Sequence, residues 1–150
     1  MEIKIRQYQK KDLNRLCEIH DLARKNELAS AGLSEAFIPF AVASEREELF
    51  VAYHVYVAEK NGKAVGFVAF SEDEIAWLYV AVAYARKGIG KKLIEFALEN
   101  IDEDVCIEVL QGNTPAINLY SQFGFRISET LSGKMPGNEE FTVTVHRMRR

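Results

Sequence analysis

The stretch LYVAVAYARKGIGKKLIEFAL, residues 78–98, joins an apolar strand to an amphipathic helix through a loop that contains two glycines. Residues 74–80 are apolar after the first position, which is typical of a strand covered on both faces. Apolar residues then recur at helical spacing along residues 88–100. At such a junction the first helical N–H groups lack partners within the helix and the helix dipole is positive. The stretch therefore predicts an anion-binding site where the strand gives way to the helix.

The same loop carries a local basic cluster, formed by Arg86, Lys87, Lys91 and Lys92 with no acid among them. The whole chain of 150 residues has a formal net charge of −3. A basic cluster on an acidic protein indicates a local anionic ligand. Because nucleic-acid-binding domains are usually basic overall, no nucleic acid is expected. The alternative is a solvated helix start with scattered lysines. The spacing fits neither a Walker loop nor a dinucleotide fingerprint.

Working outward, the helix leads into a strand at 104–110, and this β-α-β unit predicts that strands 74–80 and 104–110 are parallel. A helix within 113–125 follows, for which Thr114 is the predicted N-cap and Gly124 the left-handed end. The full predicted order is β-α-α-β-β-β-α-β-α-β-β, a mixed α/β sheet in one domain, 1–150. The other predicted elements are a strand at 3–8, helices at 13–28 and 44–52, a hairpin of 54–60 and 63–70 that turns at Asn61–Gly62, and strands at 125–130 and 139–148 around a loop at 131–139.

Composition sets the broad class. Hydrophobic residues make up 48% of the chain and charged residues 27%, as in ordinary globular proteins. No apolar run approaches the ~20 residues of a membrane span, and the first residues lack the apolar stretch of a signal peptide. We therefore expect a cytoplasmic protein without a membrane partner.

Cysteine and histidine positions argue against a metal site. Cys17 and Cys106 lie far apart and are interpreted as buried reduced thiols. His20, His54 and His146 show no ligand spacing and are interpreted as bystanders. No metal is expected.

Two motifs carry a resemblance to a known family. Residues 78–98 resemble the acyl-CoA signature of the GNAT superfamily of N-acyltransferases: a strand ending in Val, a short loop, [QR]xxGx[GA] and a helix. The stretch IEVLQGNTPAINLYSQFGF, residues 107–125, is similar to the second motif of that superfamily. Two positions depart from the pattern, because Ala85 stands where Gln or Arg is usual and Val82 where Pro is frequent. The resemblance implies a GNAT-like sheet in which the parallel strands splay apart.

The resemblance also implies roles for individual residues, with acetyl-CoA as cosubstrate. Tyr120 matches the Tyr that commonly protonates the leaving thiolate, and Asn113 matches an Asn that commonly contacts the cofactor. Backbone groups would hold the pantetheine arm and the pyrophosphate. The arm would lie along Leu78, Tyr79 and Val80, and the pyrophosphate against Arg86, Lys87, Gly88, Ile89, Gly90 and Lys91.

The implied reaction is direct attack of a primary amine on acetyl-CoA in a ternary complex. The acceptor could be a small amine, an amino acid or a peptide N-terminus. Glu108 is our choice for the base, because some relatives use a Glu at this position; the alternative is a purely structural Glu. Glu74 lies ~20 Å along the strand from Val80, which we predict is too far. The first helices and the last hairpin would form the acceptor side. Candidates to line it for a cationic amine are Glu35, Phe37, Phe40, Glu139 and Glu140.

Two other functions remain open from the sequence. One is a non-catalytic acyl-CoA binding or sensing module, in which Glu108 and Tyr120 have structural roles. The other is a phosphate- or nucleotide-binding domain that uses the glycine loop alone. For the assembly we expect a monomer or a homodimer.

Overall fold

The computed structural model describes residues 2–102 and 104–150, and within them a mixed sheet of seven strands carries the helices. The strand order across the sheet is β1-β2-β3-β4-β5-β7-β6. The strands are β1 Lys4–Gln7, β2 His54–Lys60, β3 Lys63–Phe70, β4 Glu74–Val80, β5 Cys106–Leu110, β6 Arg126–Met135 and β7 Asn138–Arg149. The α-helices are α1 Leu13–Ser30, α2 Phe40–Arg46, α3 Leu49–Ala52, α4 Ile89–Glu99 and α5 Thr114–Ser121.

The central feature of the sheet is the splayed pair β4 and β5. They are parallel and pair only at their starts, where Glu74 lies opposite Cys106 and Ile75 opposite Ile107. All other neighbouring strands are antiparallel. The register between β3 and β4 shifts so that Ala76 has no partner, which is a β-bulge that bends β4. The splayed parallel strands expected from the motifs are thus confirmed.

Side-chain alternation along β3 explains why its apolar run is continuous. Val68 and Phe70 point into a core beneath α4 and α5, where Leu93 and Ile94 are buried. Phe67 and Ala69 point to the opposite face and pack in a second core with residues of α1 and α2. Because both faces are covered by helices, both sets of alternating side chains are apolar.

Two segments differ from the predicted elements. The helix predicted over 44–52 is two helices, α2 and α3, because Glu48 adopts a left-handed backbone with φ of 52°. The loop predicted at 131–139 is mostly strand: β6 runs to Met135 and β7 starts at Asn138, with a turn at Pro136–Gly137. The turn-forming residues there are overridden by cross-strand pairing, such as Gly133 opposite Val143.

Several local predictions are confirmed and two are wrong in detail. The turn at Asn61–Gly62 has positive φ at both residues, and Gly124 has φ of 89°. The side chain that caps α5 is Asn113, not Thr114. Both cysteines are free and half-buried instead of fully buried. No helix in residues 2–102 and 104–150 is long and apolar enough to cross a membrane.

Candidate active site

A cavity of about 330 Å³ lies where β4 and β5 diverge. Side chains from β4, β5, α1, α5 and the β6–β7 turn form its walls. Leu78 and Tyr79 line it, while Val80 lies at the end of β4, opposite Gly66 of β3. In the described chain, the β5-facing edge of β4 has no strand partner after Ile75. An extended ligand can therefore add to this edge as a strand does.

At the carboxyl end of β4, the loop before α4 presents backbone N–H donors. In the part of the chain that the structure describes, no turn, loop or cap hydrogen bond is donated by the amides of residues 86–91. Gly88 is the N-cap of α4, and Arg86 adopts a left-handed backbone with φ of 61°. All four side chains of the basic cluster are exposed, and none forms an ion pair with a described acid. This geometry suits a phosphate group.

The two glycines of this loop have different reasons for being glycine. Gly88 has φ of +83°, and a Cβ placed on it meets nothing within 4 Å. A Cβ on Gly90 would lie 3.3 Å from Cδ2 of Leu119 on α5. Gly88 therefore serves a left-handed turn beside open space. Gly90 permits close packing of α4 on α5, a reason that the sequence did not reveal.

Tyr120 lies on α5 and faces the cavity, with 8% of its surface exposed. Its ring packs edge-on against Phe125, with 6.5 Å between ring centroids. Among the described residues, no hydrogen bond to its hydroxyl is found. Burial, with a smaller effect of Glu27, raises the pKa of Tyr120 above its ordinary value. The phenol therefore keeps its proton at neutral pH.

Asn113 fixes the start of α5 and connects it to α1. Its Oδ1 accepts a hydrogen bond from the amide of Ala116 at 3.3 Å, and its Nδ2 donates to Oε2 of Glu27 at 3.0 Å. Glu27 is in turn paired with Arg24 on the same helix. The side chain of Asn113 thus lines the cavity while it holds two helices together.

Glu108 lies on β5 between the cavity and an outer groove. Arg147 of β7 donates to its Oε2 from Nη2 at 3.0 Å and from Nε at 3.3 Å. Arg147 also donates to Glu129 of β6 at 2.9 Å, so one guanidinium links three strands. Oε1 of Glu108 has no hydrogen-bond donor among the described residues. The structural and the catalytic interpretation of Glu108 are both compatible with this arrangement.

Two further carboxylates line the cavity: that of Glu74, which we predicted to lie too far from Val80, and that of Glu47, which the sequence did not identify. Glu74 accepts a hydrogen bond from the Tyr53 hydroxyl at 3.1 Å, and burial raises its pKa. Burial also raises the pKa of Glu47 to about 7, where Arg24 opposes the shift and Glu74 adds to it. The residues expected to line the acceptor side are absent from the described cavity walls; these are Glu35, Phe37, Phe40, Glu139 and Glu140.

His20 of α1 is another cavity residue, although its spacing indicated a bystander. It is 2% exposed, and its ring packs against Phe40 of α2 and against Trp77 and Tyr79 of β4. Its neighbours come from distant parts of the chain, so no local pattern could have found it. Within residues 2–102 and 104–150, no three His, Cys, Asp or Glu residues are grouped as a metal site requires.

Known proteins resemble this chain in part of its sequence and in its fold. A family profile described as an acetyltransferase (GNAT) domain matches residues 51–127. The chain is 40% identical over 73 residues to the peptidyl-lysine N-acetyltransferase YiaC of Escherichia coli K12, covering 48% of this chain and 49% of YiaC. It is 37% identical over 78 residues to the UPF0157 protein YqkA of Bacillus subtilis strain 168, covering 48% of this chain and 23% of YqkA. The matched segment thus spans less than half the length of each relative.

Solved structures match over almost the whole chain. The ribosomal-protein-alanine N-acetyltransferase of Brucella melitensis superposes with a TM-score of 0.71 at 25% identity, covering 98% of both chains. YncA of Salmonella typhimurium, solved with its cofactor acetyl-CoA, superposes with a TM-score of 0.68 at 19% identity, covering 99% of this chain and 92% of YncA. The order of strands and helices along residues 74–125 agrees with the two motifs of the sequence. The GNAT profile covers more than half of the 150 residues. The chain therefore belongs to the GNAT family of acetyltransferases.

Proposed function

We propose that this protein transfers an acetyl group from acetyl-CoA to a primary amine by direct attack in a ternary complex. The observation that carries the proposal is the gap between β4 and β5. It has an unpaired strand edge on one side, free amides at 86–91 at its end, and the Tyr120 side chain in its wall. This arrangement supports a linear ligand with a phosphate group at one end and a reactive group inside the cavity.

In this proposal the cofactor lies along β4. The pantetheine arm pairs with backbone groups of Leu78, Tyr79 and Val80, and the pyrophosphate binds the amides of residues 86–91. The basic cluster adds long-range attraction for the phosphates, because its side chains are exposed and lack acidic partners. Asn113 contacts the cofactor from the cavity wall, where its amide already holds α5 to α1.

The chemistry needs the loss of two protons from the ammonium nitrogen, the gain of one proton by the thiolate, and one anion site. An alkylamine has a pKa near 10.4 and is mostly protonated at neutral pH, so it must lose a proton before it attacks. Glu108 is the proposed acceptor of that proton. As the new C–N bond forms and the C–S bond breaks, a backbone N–H near Val80 stabilises the oxyanion, and Tyr120 protonates the departing thiolate.

The walls of the cavity favour a cationic acceptor. Four carboxylates line it, those of Glu27, Glu47, Glu74 and Glu108. Arg24 pairs with Glu27 and Arg147 pairs with Glu108, whereas Glu47 and Glu74 form no ion pair with a described basic side chain. The rings of Tyr53, Trp77 and Tyr79 lie among them, and aromatic faces attract ammonium groups. An acidic, aromatic cavity supports an amine that arrives as an ammonium ion.

The first experiment is calorimetry with acetyl-CoA, with CoA and with ATP as a comparison. We expect acetyl-CoA and CoA to bind and ATP to bind more weakly. Absence of CoA binding at millimolar concentration would refute the proposal. Turnover is then measured as thiol release with polyamines, amino acids, a lysine-containing peptide and a peptide with an N-terminal alanine. Binding of acetyl-CoA without turnover of any of these amines would favour a sensing module.

A further inference from the structure

We propose that His20 is a further catalytic residue, whose Nε2 accepts a proton from the amine inside the cavity. The inference rests on the proposed acetyl transfer and names a second proton acceptor for it. It is carried by the hydrogen bond of the imidazole to Asp21 and by the place of His20 in the cavity wall.

The tautomer of His20 is set by Asp21. Nδ1 of His20 lies 3.0 Å from Oδ1 of Asp21. The same carboxylate oxygen accepts a hydrogen bond from the backbone amide of Phe40 at 2.8 Å, which fixes it from α2. A carboxylate that already accepts from a backbone amide acts as an acceptor, so Nδ1 carries the hydrogen. Nε2 is then left with a free lone pair.

That lone pair has access to the cavity. The described residues contain no fully buried side-chain nitrogen or oxygen that lacks a hydrogen-bond partner. Nε2 of His20 has no such partner among them, so it must still reach open volume. His20 is 2% exposed and is a wall residue of the cavity between β4 and β5, and we assign that cavity as the open volume that Nε2 reaches.

The surroundings of the ring keep it neutral, as a base must be before it acts. Burial lowers the pKa of His20, and the hydrogen bond to Asp21 opposes that effect. Arg24 lowers the pKa further, and Glu27 raises it. From the other elements packed against the ring, β4 presents the phenol of Tyr79, and α2 presents the ring of Phe40. The imidazole is therefore unprotonated at neutral pH.

A second acceptor fits the proton balance of the reaction. A primary ammonium carries three protons on nitrogen, and the amide product carries one. Glu108, at the outer edge of the cavity, takes the proton lost before attack and releases it to solvent. His20 takes the proton that the nitrogen loses after the C–N bond has formed. Tyr120 gives its proton to the thiolate and regains one that passes from His20 through water in the cavity that both side chains line.

The kinetic test compares pH profiles of three variants. In wild type, kcat should fall on the acid side through the pKa of His20, below its ordinary 6.5. The His20→Gln variant should lose about 10²–10³-fold in kcat, with acetyl-CoA affinity unchanged, and its acid limb should disappear. Glu108→Gln should keep that acid limb. The matched control is His54→Gln, which changes a histidine outside the cavity walls and should behave as wild type. A His20→Gln variant with kcat within threefold of wild type, or with the same acid limb, would overturn the proposal.

A second measurement does not depend on turnover or on a folded variant. Nitrogen-15 NMR of the wild-type imidazoles reports which ring nitrogen carries the hydrogen. We expect His20 to show a protonated Nδ1 and a bare Nε2 at pH 7. A protonated Nε2 would refute the inference even if the protein acetylates amines. Conversely, a bare Nε2 in a protein that acetylates no amine would refute the proposed function and leave the imidazole geometry intact.

Discussion

Replacing Tyr120 with phenylalanine tests the proposed proton donor with the smallest change that the chain permits. The variant keeps the ring that packs against Phe125 and removes only the hydroxyl. Because no hydrogen bond to that hydroxyl is found in the described residues, its removal leaves no described polar group without a partner. We expect the free energy of unfolding to change by about 0.5 kcal/mol or less.

The effect on rate should be far larger than the effect on stability. A general acid contributes about 10²–10⁴-fold, and each factor of ten corresponds to 1.36 kcal/mol, so the barrier should rise by about 2.7–5.4 kcal/mol. The loss should appear in kcat, because the hydroxyl acts on the leaving thiolate and not on the bound thioester. Burial raises the pKa of Tyr120 above its ordinary value of about 10. Wild type should therefore keep this acid throughout the range from pH 7 to 10.

The assay is thiol release at saturating acetyl-CoA, with calorimetry of acetyl-CoA binding and a thermal melt on the same samples. Tyr56→Phe is the matched control, since Tyr56 packs among Phe70 and Phe96 away from the cavity. It should retain wild-type kcat. If Tyr120→Phe turns over within threefold of wild type, the thiolate takes its proton from water and Tyr120 is a packing residue.

Three further predictions concern the phosphate end and the acidic wall. Acetyl-CoA affinity should weaken with added salt, because salt screens the exposed basic cluster. A Lys87→Ala/Lys91→Ala variant should show a smaller change of affinity with salt concentration. The same salt dependence in the variant would show that the amides act alone. Gly88→Val should abolish binding measured by calorimetry while circular dichroism stays native, because a β-branched residue disfavours the φ of +83° that orients the loop amides; normal binding would mean that the phosphate does not depend on this turn. The pKa of Glu47 is about 7 in the folded protein and near 4.5 in the unfolded chain, so the free energy of unfolding should fall as pH rises from about 4.5 to about 7. In chemical denaturation, Glu47→Gln should remove about 2–3 kcal/mol of that fall. An equal fall in the variant would place the titration elsewhere.

The sequence predicted those parts of the protein that local spacing determines. The loop at residues 85–92 follows an apolar strand and precedes an amphipathic helix, so its amides had to stand at a helix start. The spacing from Glu108 to Tyr120 likewise placed both residues on consecutive elements that border the gap. The family resemblance added the prediction that β4 and β5 splay apart, because the spacing of apolar residues does not determine how two strands diverge.

The missed features depend on packing between distant segments. Glu47 reaches the cavity because the left-handed backbone of Glu48 ends α2 early. The β6–β7 turn then lies against the Glu47 side chain, so close that a Cβ added to Gly137 would be 3.6 Å from Oε2 of Glu47. Glu74 was excluded by its distance along β4, yet the cavity extends back to the point where β4 and β5 separate. Distance along a strand therefore did not predict which residues line the space between two strands.

The unpaired edges inside the sheet explain why this gap is suited to a ligand. β4 is held on one side by β3 and β5 by β7, so the two inner edges face each other without a ladder after Ile75 and Ile107. Each backbone polar group left without a partner costs about 1–3 kcal/mol once water is excluded. In the proposed complex, the amide groups of pantetheine would satisfy these edges as an added strand. Three features lie in the elements that border the gap: the bulge at Ala76, the close approach of α4 to α5 at Gly90, and the Arg147 ion pairs. The fold thus keeps an opening in its sheet that the proposed ligand strand would complete, and the side chains of β5, α1 and α5 that we propose as reactive line that opening.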